Sequence, residues 1–508
     1  MITPSFYEFE AAIKEYKTIP VVQRFFADGL TPIQIVHTLS EQVSFLLESK
    51  DEQSPWSRYS FIGLNPMFEL IEENGVYRTY SKEKEVIVEK KSFQDAFNET
   101  MNVINVQPTD IPIPFRGGAV GYMSYDAIET IEPALATSTE QVLPHYQFLF
   151  CQTLIAYDHI QKELTIVVHV RPEKGMSRQS YEEAIAEIER VSSLLEQPMN
   201  GLMLRDVPTL DGEVSFAGVT SNYEKDVFLE DVKKIQEYIR KGDILQAVLS
   251  QRFEMDVTVS ALELYRVLRM VNPSPYLFYL KFEQLEIVGS SPERLVQVQN
   301  GHVEINPIAG TRRRGRNEEE DVQLERELLA DKKERAEHEM LVDLACTDIG
   351  LISEPGSVKT PALFEIGRFS HVMHIISKVT GQLREGTEPL EAVVASFPAG
   401  TVSGAPKKRA MEILQQLEPT KRGLYAGAIG YLGYDGNIDS CIAIRTMVIQ
   451  NNKVFIQAGA GVVAESVPEK EYEETQNKAK ALIRTVQLAE KMFGNGKFAG
   501  VEEEMNHA

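Results

Sequence analysis

The chain has 508 residues, 43% hydrophobic and 25% charged, a globular composition too long for one core, so two domains or one large two-lobed body are expected. A formal net charge of −23 argues against duplex nucleic acid as a partner, while leaving room for an anionic substrate in a locally basic pocket. Three widely separated cysteines, Cys151, Cys346 and Cys441, no apolar leader before Glu8 and Glu10, and no apolar run near the roughly 18 residues of a membrane span lead to the expectation of a cytoplasmic protein with no membrane partner.

Residues 1–50 mix helical periodicity with polar gaps. Strand character follows over 59–71 and 86–88, with turns at Asn65-Pro66 and Asn74-Gly75. Arg116-Gly-Gly-Ala-Val-Gly-Tyr122 reads as a Gly-rich strand or turn, 147–156 and 164–170 as buried strands, and 180–195 as a helix. Gln197-Pro-Met-Asn-Gly-Leu, with Pro208 and Asp211-Gly212, reads as a linker. It separates a lobe over 1–210 from one over 222–495, with a frayed tail at 496–508. The second lobe opens with an N-cap at Ser221 or Asn222 and an amphipathic helix ended by Gly242. Strands are expected at 247–255, 276–282, 286–289 and 295–299, then, after a helix over 331–348, at 424–434, 440–449 and 453–457, before a C-terminal helix.

The halves echo each other. Gly63-x-x-Pro66 is followed eight residues later by Asn74-Gly75, and Gly289-x-x-Pro292 at the same interval by Asn300-Gly301. Gly117-Gly-Ala-Val-Gly-Tyr-Met-Ser-Tyr-Asp126 echoes Ala426-Gly-Ala-Ile-Gly-Tyr-Leu-Gly-Tyr-Asp435 in the same order. The expected fold is α+β, with antiparallel sheets flanked by helices in intertwined or stacked lobes born of an ancient duplication.

Chemistry concentrates in the second half. At about 100° per residue, Glu334, Glu337, Leu341, Leu344 and Asp348 share one helical face, so two carboxylates lie on an apolar stripe. Glu471, Glu474, Thr475, Lys478 and Leu482 repeat the device on the C-terminal helix. Were the two helices to face each other, four carboxyl groups would converge beside one Lys. A hard cation is their natural neutraliser, and Mg2+ takes one or two carboxylates while keeping waters. Ordinary solvated Glu residues would give the same spacing.

Other motifs are weaker alone. Arg312-Arg-Arg-Gly-Arg316 runs straight into Glu318-Glu-Glu-Asp321 and reads as a solvated loop. Pro307-Ile-Ala-Gly-Thr311 reads as a turn suited to close backbone approach by a ligand. Phe397-Pro-Ala-Gly-Thr-Val-Ser-Gly-Ala-Pro-Lys407 lacks the phosphate-loop pattern, though its turn into a helix suits a carboxylate, as does Ala458-Gly-Ala-Gly461 after a strand. Arg445 is a cation in an apolar strand, either exposed on an outer face or aimed at a carboxylate. His371 and His374, one helical turn apart, admit a metal pair or structural hydrogen bonds. No nucleophile elbow or Cys-His spacing supports covalent hydrolysis.

Taken together these stretches closely resemble the chorismate-utilising enzymes, specifically the large component of anthranilate synthase. The resemblance is strong over residues 222–485, on Asp243-Ile-Leu-Gln-Ala-Val-Leu-Ser-Gln-Arg-Phe253, Asn272-Pro-Ser-Pro-Tyr276, Ser291-Pro-Glu-Arg294, Pro307–Thr311, Lys333-Glu-Arg-Ala-Glu-His338, Phe397–Lys407 and Gln457-Ala-Gly-Ala-Gly461. It is weaker before that, on Leu46-Leu-Glu-Ser49 and Arg58-Tyr-Ser-Phe-Ile-Gly63. It implies a catalytic second lobe, a regulatory or structural first lobe, and Mg2+-dependent conversion of chorismate and ammonia to anthranilate and pyruvate, at the head of tryptophan biosynthesis. By resemblance Glu337 and Glu474 ligate the metal, with Glu334 and Glu471 supporting it or its waters. Lys478, Gly310 and the backbone of Ala458, Gly459, Ala460 and Gly461 would hold the ring carboxylate, and Arg445 and Tyr425 the pyruvyl carboxylate. His374 and Thr401 would line the ring, and Glu293 suits general acid duty at the departing hydroxyl.

The same resemblance separates siblings. Relatives that add water carry a Lys at the position of Gln246, which cannot serve as that base, and those using a covalent Lys carry it at Ala309. Enzymes that stop at aminodeoxyisochorismate share most of the motifs, and a non-catalytic tryptophan-binding regulator is a further alternative. No Gly-x-Cys-x-Gly loop surrounds any cysteine, so glutamine-dependent activity implies a separate amidotransferase partner. The resemblance also makes Glu48, Ser49, Pro275, Tyr276 and Cys441 candidate contacts for tryptophan as inhibitor, although Pro275 and Cys441 would equally suit simple packing. Two departures stand out: the family's Leu-Ala-Arg-Asn-Asp reads Leu344-Ala-Cys-Thr-Asp348, and its Ala-Asp-Ser reads Ala464-Glu-Ser466. Cys346 projects away from the Glu337 face, so an effect on packing is expected there before one on metal binding.

Overall fold

The computed structural model describes residues 2–494 apart from 51–54, 138–140, 198–204, 207, 209–211 and 369–371. The expected frayed tail, most of the linker and His371 lie outside the described residues. In chain order, the elements that matter for function in the first half are β1 (Val43–Glu48), β2 (Tyr59–Glu73), β3 (Gly118–Met123), β4 (Tyr146–Asp158) and α1 (Ser177–Glu196). The second half contributes α2 (Lys225–Arg240), β5 (Gln246–Asp256), β6 (Tyr276–Lys281), β7 (Glu286–Ser291), β8 (Arg294–Gln299) and β9 (Ile308–Arg313). After them come α3 (Glu318–Ala330), α4 (Lys332–Gly350), β10 (Val372–Gln382), β11 (Ala428–Gly433), β12 (Ile438–Ile442), β13 (Thr446–Gln450), β14 (Lys453–Val462) and α5 (Pro468–Phe493).

All the strands join one hydrogen-bonded network whose pairings among these elements are antiparallel, with helices packed on its faces, so the α+β reading holds. The two halves interlock. β1 pairs with β6 and β3 with β11, each time across the chain midpoint. Each junction is symmetric: Phe45↔Leu280 is mirrored by Leu47↔Phe278, and Ala119↔Leu432 by Met123↔Ala428. The rings of Phe45 and Phe278 play one role in each half, covering Gly63 and Gly289, where a Cβ would sit 2.0 and 2.1 Å from ring carbons. Both Asn-Gly turns have the positive φ values of a tight hairpin, 55° and 78° at Asn74-Gly75, 52° and 77° at Asn300-Gly301.

The copies differ at one place. In the first half β2 and β4 form a long ladder with a single irregularity, beside Pro66. In the second half the matching ladder is cut in two, β7 with β13 and β8 with β12. Pro292-Glu293 interrupts one side and Ala443–Arg445 the other, with Arg445 at φ 51°. A proline lacks the donor a ladder needs, so a break beside it is expected.

Local chemistry moved some boundaries. Ser221 and Asn222 do not cap α2, which starts after Glu224. Their side chains instead reach β5, Ser221 donating to Gln251 and Asn222 accepting from the Arg252 N–H. Strand structure expected from 424 begins only at Ala428. Arg312–Arg316 is no solvated loop: Arg312 and Arg313 end β9, and Arg312, Arg313 and Arg314 pair with Asp331, Glu320 and Asp321 on and around α3. His374 lies on β10, so the helical spacing assumed for it does not apply.

Candidate active site

The site is built where the second ladder is cut. α4 begins at Asp331, whose side chain accepts from the N–H groups of Lys333 and Glu334, and it is pinned to β10 by His338 Nε2, 2.7 Å from Ser377 Oγ. This sets the face read from the sequence against the rest of the site. Glu334 lies against Gly310 of β9, Leu344 against Gly400, and Asp348 pairs with Lys407 at 2.7 Å. Gly310 occupies a bulge in β9 at φ 64°, and a Cβ there would meet Glu334 Oε2 at 3.2 Å and Leu328 at 3.0 Å. The expected turn at 307–311 is thus a bulged strand.

α5 supplies the second acidic face. Lys478 is its hub: Nζ lies 2.7 Å from Glu474 and donates to the Gly459 carbonyl at 2.8 Å, while its own carbonyl accepts from Arg445. Burial holds the Glu337 carboxyl above the usual range, Glu334 and Glu474 push it further, and Lys333 and Lys478 pull it back. Burial likewise raises Glu471, helped by Glu474 and opposed by Ser466, Lys333 and Lys478. Glu337 on α4 therefore feels Glu474 across the cleft, and the charges of Lys333 and Lys478 act on both Glu337 and Glu471. Lys333 carries no role of its own in the sequence motif; that its charge acts both on Glu337 of its own helix and on Glu471 of α5 follows from the tertiary structure.

Among the described residues no three acidic, imidazole or thiol groups are drawn close enough to chelate an ion as they stand. Glu474 is engaged by Lys478, and Glu334 by Arg312 at 3.5 Å. The donor set still suits a hard divalent ion: it is all oxygen and partly buried, and at Glu337 and Glu471 burial together with neighbouring carboxylates raises the proton affinity, a cost a cation relieves.

The remaining residues ring the same cleft. Burial pushes the Glu293 carboxyl up to about 7, and Thr401 and Lys478 act against that rise. The buried Thr401 hydroxyl makes no fully aligned hydrogen bond. His374 Nδ1 lies 2.8 Å from the Gly310 carbonyl and 3.2 Å from Thr311 Oγ1, so Nδ1 carries the hydrogen, and burial lowers the ring's proton affinity, leaving a neutral imidazole. Tyr425 brings its hydroxyl to Gly459, where a Cβ would stand 2.7 Å away, and Gln246 lays its amide over Gly461, 2.6 Å from such a Cβ. Burial lowers the proton affinity of Arg445 and raises that of Tyr425 to about 12.

A second cavity, of about 60 Å³, is lined by Glu48, Ser49, Pro275, Tyr276 and Cys441 together, with Asp439 beside them. Glu48 accepts from Tyr265 at 2.6 Å and from Arg269 at 3.2 Å, and the Tyr276 hydroxyl donates to Asp439 at 2.8 Å while accepting from Arg294 at 2.7 Å. Arg294, which holds the Tyr276 hydroxyl, follows Glu293 directly in the chain at the start of β8.

The profile of the chorismate binding enzymes matches residues 44–484, and the chain belongs to that family. Within it, the chain is 49% identical to anthranilate synthase component 1 of Bacillus subtilis (strain 168) over 486 residues, 94% of each chain. It is 48% identical to that of Geobacillus stearothermophilus over 500 residues, 96% of this chain and 98% of the relative. Among solved structures, anthranilate synthase component I from Streptococcus pneumoniae TIGR4 superposes with a TM-score of 0.73 at 37% identity, over 90% of this chain and 98% of that one. The isochorismate synthase MenF of Escherichia coli shares the fold, with a TM-score of 0.67 at 19% identity, over 95% of this chain and all of that one. No helix among the described residues is long and apolar enough to cross a membrane.

Proposed function

We propose that the chain is an anthranilate synthase component 1, converting chorismate and ammonia to anthranilate, pyruvate and water. The observation that carries this reading is the convergence on Lys478. That one side chain touches Glu474 and the Gly459 carbonyl, its backbone holds Arg445, and its charge acts on Glu337, Glu471 and Glu293.

Arg445 and Tyr425 grip the pyruvyl carboxylate, and Lys478, Gly310 and the 458–461 backbone hold the ring carboxylate. Glu337 and Glu474, supported by Glu334 and Glu471, would hold Mg2+, which would neutralise the ring carboxylate and fix its orientation. Glu293, protonated up to about pH 7, gives its proton to the departing hydroxyl, which leaves as water. Ammonia bonds to the ring carbon beside the carboxylate-bearing one. Loss of a ring proton and of the enolpyruvyl group, which departs as pyruvate, then makes the ring aromatic. His374 and Thr401 line the ring, the imidazole being held in place by Nδ1 on the Gly310 carbonyl. Gln246 over Gly461 offers no base to activate water, which favours ammonia. A separate glutamine amidotransferase supplies that ammonia, and the cavity around Glu48, Ser49, Pro275, Tyr276 and Cys441 takes tryptophan as feedback inhibitor.

The test is purified chain with chorismate, Mg2+ and an ammonium salt, followed by anthranilate fluorescence and pyruvate release. Both products should appear in equal amounts, vanish with EDTA and fall as tryptophan is added. Formation of an aminated product without pyruvate would assign the chain to a sibling activity, and tryptophan binding without turnover would make it a regulator.

A further inference from the structure

A cavity of about 190 Å³ opens on the face of the sheet that points away from α5. On β5, Arg252 stands directly opposite Gln457 of β14, so both side chains leave from one face. Gln251, the next residue, points the other way and donates to Thr475 of α5. The cavity therefore lies across the sheet from the body of α5, on the face where Tyr425 and Gln246 cover Gly459 and Gly461.

In it a guanidinium and an amide oxygen are left without a hydrogen bond. The Arg252 guanidinium makes no hydrogen bond or ion pair with any described residue; it stands over the Phe455 ring at 5.8 Å and feels the Glu254 and Asp126 carboxylates only through space. The Gln457 amide donates to Ser250 at 2.8 Å, but its Oε1 is buried without a hydrogen bond, and the residue is only 9% exposed. A half-buried cation and a buried carbonyl left unsatisfied side by side are costly in a folded protein, and the cost vanishes if a ligand supplies the missing acceptor and donor. Arg422, which also lines the cavity, is already held by Glu418 and by the Val402 and Val248 carbonyls. The walls are apolar, from Leu143, Leu424 and Val448.

We propose that this cavity is a second small-molecule site, for an aromatic carboxylate that also bears one N–H or O–H donor. Its carboxylate forks onto Arg252, its donor meets Gln457 Oε1, and its ring lies among Leu424, Val448 and Phe455. Tyr425 forms the wall shared with the substrate cleft, so an occupant would touch the back of a residue that faces the reaction. The site stands on its own geometry and does not depend on the reaction assigned above.

The probe is 3-hydroxybenzoate, titrated into the full chain by calorimetry and by saturation-transfer NMR. Wild type should bind it, and Arg252→Gln should weaken binding by about ten- to a hundredfold, the range for one charged hydrogen-bonded contact. Benzoate, lacking the donor, should bind several-fold less well. Val448→Phe, which fills the cavity without touching its polar groups, should block binding while thermal melting shows an intact fold. Arg445→Lys should leave binding unchanged. No binding by wild type at millimolar probe, undiminished binding by Val448→Phe, or loss of binding in Arg445→Lys would each overturn the proposal, the last by placing the probe in the substrate cleft.

Discussion

Glu293 shows how burial alone keeps a proton on a carboxyl. Its carboxyl, ordinarily ionised above pH 4.5, stays protonated to about pH 7 because the cleft withholds water from the anion. Between those values the native chain holds a proton that the unfolded chain has released, so stability is full below pH 4.5 and falls as pH rises towards 7. Glu293→Gln removes that dependence: its melting temperature should match wild type near pH 4.5 and exceed it at pH 8. The same substitution should cut kcat by about 10²- to 10⁴-fold. With free ammonia held constant, the wild-type rate should decline above pH 7, and the residual rate of the variant should not. Gly310 is the other residue under tight constraint. Gly310→Ala forces a side chain onto a left-handed backbone beside Glu334, and should cost about 1–2 kcal/mol by denaturant melting and raise the KM for chorismate.

At the scale of an element, α4 carries two jobs on two faces. Glu334, Glu337 and Leu344 look to the cleft, while Val342, Ala345 and Ile349 are buried in the core that Cys346 also packs against. Cys346 therefore belongs to the packing side, and Thr347 is exposed, bonded to the Asp343 carbonyl at 2.9 Å. Reverting both, Cys346→Arg with Thr347→Asn, should shift thermal stability and leave the Mg2+ concentration for half-maximal activity unchanged. A large change in that requirement would mean the helix is rotated from the orientation described. The broken ladder is the complementary device. Cutting β7 from β8 and β12 from β13 frees the backbone around Glu293 and Arg445 to turn their side chains into a cleft, where the first-half ladder closes the same space.

For the whole molecule, the interlocked strands mean that no cut near residue 210 yields two self-sufficient pieces. β1 and β3 cover the edges of β6 and β11, and a fragment starting at 222 would expose both edges together with the apolar faces that one hydrophobic core shares between the halves. Expressed alone, fragments 1–210 and 222–508 should be insoluble or lack native circular dichroism. Co-expressed, they should associate and recover ammonia-dependent activity. Independent folding of the second fragment would show that the junction strands are dispensable.

Read alone, the amino-acid order determined what is local or periodic: the Asn-Gly hairpins, the carboxylates on two helical stripes, the echo between the halves and the motifs of the chorismate binding enzymes. These are legible because helix faces and tight turns are set by residues within a few positions of each other. Only the tertiary structure decided that Arg445 leaves its strand, that the Lys333 charge reaches Glu337 and Glu471, that the basic run is neutralised on and around α3, and that the Arg252 guanidinium and the Gln457 Oε1 meet in one cavity without a hydrogen bond. Each depends on which distant strand or helix lies alongside. That is settled by the packing of the whole chain, where burial sets the cost of every charge and no spacing along the sequence records it.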